Sequence, residues 1–190
     1  MAQAPIRDPH PDRPEDQLAG LLQRPSPNWD ERPAGSAISL LVIHNISLPP
    51  GEFGGPWIDL LFRNQLPVEA HAYFARLAGL RVSAHLLIRR DGQVIQYVPF
   101  SKRAWHAGQS QFQGRPNCND FSIGIELEGT DHDPYTDAQY QALAQLTRQL
   151  QQRYPAISHE RITGHSDIAP GRKTDPGPAF DWPRYLRAIG

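Results

Sequence analysis

The chain has almost nothing from which to build a covalent framework. Its one cysteine, Cys118 in 190 residues, has no internal partner, so packing rather than disulfides must hold the fold, as expected in a reducing compartment. Neither charge is in excess: 19 Lys and Arg stand against 20 Asp and Glu. A balance so even gives no field for gathering a polyanion, and nucleic acid is not an expected partner. No apolar run approaches the roughly 18 residues of a membrane span. The opening Met1-Ala2-Gln3-Ala4-Pro5-Ile6-Arg7-Asp8-Pro9 has no apolar stretch behind its charges, so neither a membrane partner nor a secretory signal is expected. The expectation is a cytoplasmic monomer.

What is present is enough apolar material, 39% of residues, for one ample core and no requirement for a second. Seven of the 19 prolines fall at or before Pro33, where they remove amide donors and leave little to bury. Residues 1–24 are therefore expected to be a flexible tail and residues 25–190 the functional domain.

Within that domain, Ile38 to His44 is a nearly unbroken, β-branched run, the pattern of a central strand covered on both faces. Val82 to Arg90 and Gln93 to Val98 flank Asp91-Gly92, which predicts an antiparallel hairpin. Phe121 to Glu128 alternates, with Ser122, Gly124, Glu126 and Glu128 on one face, and reads as a strand. Trp57 to Phe62 and Ala70 to Leu77 have short helical spacing. Thr136 and Gln139 match a capping box ahead of a helix from about Asp137 to Tyr154, and a last helix is expected within Phe180 to Ile189. Together these predict an α/β fold: a single domain with a central mixed sheet flanked by helices.

The densest chemistry lies between Arg161 and Gly177, which holds His165, Asp167, Arg172, Lys173 and Asp175 among loop-forming Gly and Pro. Strand C-termini open onto a shared crevice, and His44, Glu126 and His165 all lie at or near predicted strand ends. His44, His165 and Asp175 meet the count of three His or carboxylate ligands that leaves zinc an open position. Glu126 then suits a general base, and Lys173, rather than Arg172, a cation for an oxyanion. The spacing matches no tight zinc signature such as H-E-x-x-H, so each residue also has an ordinary reading. His44 can bond backbone, Glu126 can pair with an arginine, Asp175 can make an Asx turn and Lys173 can be a solvated cation. His85 and His106 are read as supporting or groove-lining groups, and Cys118 as a buried or idle thiol rather than a nucleophile.

Leu41 to Gly51, Arg103 to Gly108, Cys118 to Thr130 and Gly164 to Gly177 carry a resemblance to the zinc N-acetylmuramoyl-L-alanine amidases of the amidase-2 group. That group shares its fold with the peptidoglycan recognition proteins. The likeness extends over about residues 25 to 187. It implies one zinc ion per chain on His44, His165 and Asp175, with Glu126 as catalytic carboxylate and Lys173 assisting at the transition state. It implies Asn45, Arg81 and Trp105 as substrate contacts. The implied reaction is hydrolysis of the amide between anhydro-muramic acid and L-alanine in soluble muropeptides during cell-wall recycling.

Overall fold

A computed structural model describes residues 16, 18 and 20–190. Its elements in chain order are β1 (Leu22–Gln23), β2 (Trp29–Glu31), β3 (Leu40–Ile46), α1 (Trp57–Phe62), a 3-10 turn (Ala72–Leu77), β4 (Leu86–Ile88), β5 (Val94–Gln96), β6 (Lys102–Ala104), β7 (Gln111–Phe112), β8 (Arg115–Pro116), β9 (Ser122–Glu128), α2 (Asp137–Arg153), β10 (Ile162–Gly164), α3 (His165–Ile168) and α4 (Trp182–Ile189).

Six strands form the main sheet in the order β1-β5-β4-β9-β3-β10. The β4/β5 pair is antiparallel, as the Asp91-Gly92 turn demands, and every other pairing is parallel. The expected mixed α/β sheet is therefore present. Gly92 supplies the left-handed φ of +85° that the hairpin turn needs.

The two faces of β3 and β9 explain their composition. Leu41, Ile43, Ile123, Ile125 and Leu127 pack into one core with Leu143, Leu146 and Leu150 of α2 and Tyr185 and Ile189 of α4. Leu40 and Val42 turn the other way, against Ala107, Cys118, Phe121 and Ile168. Both faces of β3 are thus dry along most of its length, which is why that strand reads as a continuous apolar run. Cys118 is free and buried.

Helix α2 starts where its sequence says it should. Thr136 Oγ1 accepts from Gln139 N at 3.1 Å, and Gln139 Oε1 accepts from Thr136 N at 3.1 Å. The weak helical pattern near residue 70 becomes only the short 3-10 turn. The segments at β2, β6, β7 and β8 lack alternation and carry no strand signal in the sequence; they pair as two small separate sheets.

Most of the expected tail lies outside the described residues. Its end, Leu22–Gln23, runs parallel to β5 at the sheet edge, and Gln96 ties it down by donating to Asp16 O at 2.9 Å.

Candidate active site

The parallel order β9-β3-β10 brings three strand ends side by side. His44 lies in β3, opposite Glu126 of β9 in register, and His165 follows β10 directly as the first residue of α3. The turn into α3 is held by Asp167, whose Oδ2 accepts from Gly164 N at 2.9 Å and from Thr163 Oγ1 at 2.8 Å. Asp175 returns on the loop after α3, and its carbonyl accepts from Ser166 N at 2.9 Å.

That loop is clamped from behind. Pro176 O accepts from Tyr135 Oη at 2.7 Å and from Asn45 Nδ2 at 3.1 Å, while Asn45 Nδ2 also reaches Asp131 Oδ1 at 2.8 Å. Gly177 sits at φ +79°, and a Cβ there would lie 2.3 Å from Asp131 Cα. Only glycine fits that approach.

Three side chains converge. His44 Nδ1 is 3.0 Å from His165 Nδ1 and 3.0 Å from Asp175 Oδ2, and His165 Nδ1 is 3.1 Å from the same oxygen. All three residues are buried. Burial holds His44 neutral, lowering its pKa to about 4 against the opposing pull of Asp175. Burial works against ionisation of Asp175 too; a proton on either facing imidazole nitrogen, or a cation standing in its place, outweighs it and holds the carboxyl below the usual carboxylate range.

The donor chemistry of this triangle suits a metal ion. His165 Nε2 lies 3.0 Å from Ala107 O. A carbonyl can only accept, so that nitrogen bears a hydrogen, which leaves Nδ1 as the position free to present a lone pair to a metal. The lone pair points at a carboxylate oxygen that also has only lone pairs to offer. A cation between them removes the conflict, and two imidazole nitrogens with one carboxylate oxygen is a set that zinc accepts. These are the residues able to hold a metal ion.

A cleft of about 250 Å³ lies over the triangle, and His165 and Asp175 line it together with Asn45, Trp105, Glu126 and Lys173. Glu126 Oε2 is buried and has no hydrogen-bond partner. Burial, reinforced by the Asp175 charge and only partly offset by Lys173, raises its pKa well above the ordinary glutamate value. Such a carboxyl is suited to exchanging protons with whatever enters the cleft. The other nearby cation, Arg172, does not line the cleft; its Nη2 donates to Ala107 O and Gln109 O at 2.6 Å each and lies 3.5 Å from His165 Nε2.

Of the remaining sequence candidates, Trp105 is half-buried on the cleft wall, and Asn45 lines it with its amide nitrogen already committed to Asp131 and Pro176. Arg81 is not on that wall. It is exposed beside an adjoining recess of about 150 Å³ that shares Leu61, Leu77 and Leu80 with the cleft.

The sequence marked His106 only as a supporting or groove-lining group and gave Ala107, Asn119 and Ser122 no role at the site. His106 Nδ1 lies 2.9 Å from His44 Nε2. The readable signal was Gly124, an interior strand glycine. A Cβ there would lie 2.5 Å from the His106 ring, which rests on the strand backbone.

The mixed sheet, the His-His-Asp triangle at its strand ends and the overlying cleft define a hydrolase-like centre, and the sequence matches the corresponding family over residues 34–178: the chain belongs to the Amidase_2 family, N-acetylmuramoyl-L-alanine amidase. Within it, the chain is 68% identical over 165 residues to the 1,6-anhydro-N-acetylmuramyl-L-alanine amidase AmpD of Salmonella typhimurium strain SL1344, covering 87% of this chain and 88% of that one. Among solved structures, a selenomethionine AmpD derivative superposes with a TM-score of 0.90 at 64% identity, covering 93% of this chain and 98% of that one. AmiD from Escherichia coli, solved with the substrate anhydro-N-acetylmuramic acid-L-Ala-D-gamma-Glu-L-Lys, gives a TM-score of 0.60 at 32% identity over 83% of this chain and 60% of that one.

Proposed function

We propose that this chain is a zinc-dependent N-acetylmuramoyl-L-alanine amidase acting on 1,6-anhydro-muropeptides in cell-wall recycling. The observation that carries the reading is the convergence of His44 Nδ1, His165 Nδ1 and Asp175 Oδ2 within 3.1 Å of one another, under a cleft lined also by Glu126 and Lys173. Identity of 68% to AmpD supports the substrate.

His44, His165 and Asp175 would hold the ion. Zinc bound there supplies Lewis acidity, polarising the scissile carbonyl and making a water molecule more acidic. Glu126 takes the proton from the attacking water and delivers it to the departing nitrogen of L-alanine, a transfer suited to a carboxyl with a raised pKa. Lys173 faces the same space and stabilises the negative charge that builds on the carbonyl oxygen. Trp105 offers a flat apolar wall to the sugar, and Arg81, in the adjoining recess, faces the carboxylates of the stem peptide. By its likeness to AmpD the enzyme works in the cytoplasm, one zinc per monomer.

Metal analysis combined with mass spectrometry of the products tests the whole reading. One equivalent of zinc is expected, with free L-alanyl peptide and anhydro-muramic acid released from an anhydro-muropeptide and little released from intact sacculi. Protein that binds muropeptide without zinc or cleavage would reduce the chain to a binding module.

A further inference from the structure

The ring of His106 is the third imidazole at this centre, and it does not belong to the triangle. Its two nitrogens lie between a proposed zinc ligand and a serine: Nδ1 is 2.9 Å from His44 Nε2, and Nε2 is 3.2 Å from Ser122 Oγ. The direction of each hydrogen bond follows from the far end. Ser122 Oγ lies 2.6 Å from Cys118 O, and a carbonyl only accepts, so the hydroxyl hydrogen is spent there. Ser122 Oγ can then only accept from His106, which puts the His106 proton on Nε2. With its Nδ1 left bare, His106 accepts the Nε2–H of His44, and His44 Nδ1 is left as a lone pair aimed into the triangle.

The neighbouring residue does the same for the other ring. Ala107 O accepts the Nε2–H of His165 at 3.0 Å. Both backbone amides of this dipeptide are held by one acceptor, Asn119 Oδ1, at 3.2 Å from His106 N and 2.8 Å from Ala107 N. The His106 ring is further seated on Gly124, where a Cβ would lie 2.5 Å from its Cγ and Nδ1.

We propose that His106 is a positioning residue: the Ser122-His106 relay locks His44 in the tautomer whose Nδ1 can bind zinc, while Ala107 O locks His165 in the matching one. This rests on the assignment of His44 and His165 as zinc ligands. Partners that orient a metal-binding histidine commonly contribute about 10- to 100-fold in metal affinity.

The test compares His106→Asn with His106→Leu in the full chain, reading the zinc dissociation constant by chelator competition, together with ¹⁵N NMR of the His106 ring in zinc-loaded wild type. The two substitutes are nearly isosteric, but only asparagine puts an acceptor oxygen near the position of Nδ1. The leucine variant is expected to bind zinc about 10- to 100-fold more weakly, and the asparagine variant to recover most of that loss. The wild-type ring is expected to carry its proton on Nε2. Wild-type affinity in His106→Leu, or an equal loss in both variants, would overturn the proposal. So would a proton on His106 Nδ1, a measurement that needs no variant to fold. Wild-type protein that binds no zinc would instead overturn the ligand assignment, and this inference with it.

Discussion

His44 and Glu126 stand directly opposite one another on β3 and β9, in the same row of a parallel pair. Side chains in one such row leave the sheet on the same side, on strands about 4.8 Å apart. The spacing between the proposed ligand and the proposed proton-transfer group is therefore set by the hydrogen-bond ladder. A loop would hold it less rigidly.

Replacing His165 with alanine leaves two donors, His44 and Asp175, and two cannot hold zinc well. His165→Ala should lose most of its metal and fall to background turnover. Zinc content and hydrolysis of an anhydro-muropeptide measure both, and full occupancy with normal turnover would refute the ligand set.

Glu126→Gln keeps the shape of the side chain and removes its proton chemistry. Zinc should stay bound while turnover drops by about 10²- to 10⁴-fold. Wild-type rates in this variant would move the acid-base role to another group.

The same substitution makes a prediction about stability. Burial raises the Glu126 pKa in the folded chain. Between the ordinary glutamate value and the raised one, the folded chain keeps a proton that the unfolded chain has released, so stability falls as pH rises through that window. Metal-free Glu126→Gln should therefore melt above metal-free wild type at about pH 8, and the gap should close toward about pH 4. A gap independent of pH would show that Glu126 is not desolvated.

Gly177→Ala forces a Cβ to within 2.3 Å of Asp131 Cα at a left-handed φ of +79°. The loop that carries Asp175 must shift, at a cost of about 1–3 kcal/mol, with weaker zinc binding. Denaturant unfolding and chelator competition measure the two effects.

Arg81→Ala tests the adjoining recess. If Arg81 contacts the stem peptide before and during the reaction alike, KM rises while kcat holds. Steady-state kinetics with substrates of different stem length check this, and an unchanged KM for every length would remove Arg81 from the substrate site.

How much was legible in the sequence depended on how local each signal was. The capping box of Thr136 and Gln139, the Asp91-Gly92 turn and the doubly covered run of β3 are short-range patterns, and each has its counterpart in the structure. β2 and β6 left no trace, because Trp29–Glu31 and Lys102–Ala104 are too short to alternate and pair only with each other. At the candidate site, His44, His165, Asp175, Glu126 and Lys173 could be named from residue type and strand ends. Arg172 and Lys173 lie side by side in sequence, yet only Lys173 lines the cleft.

By itself the sequence determined which groups were available for chemistry and that strand ends would carry several of them, because residue type and periodicity are local properties. Tertiary structure alone decided that Nδ1 of both histidines turns toward Asp175 and that His106 and Ala107 O lie behind them. Ring orientation depends on which acceptor faces each nitrogen, and here the acceptors come from segments 62 and 58 residues away.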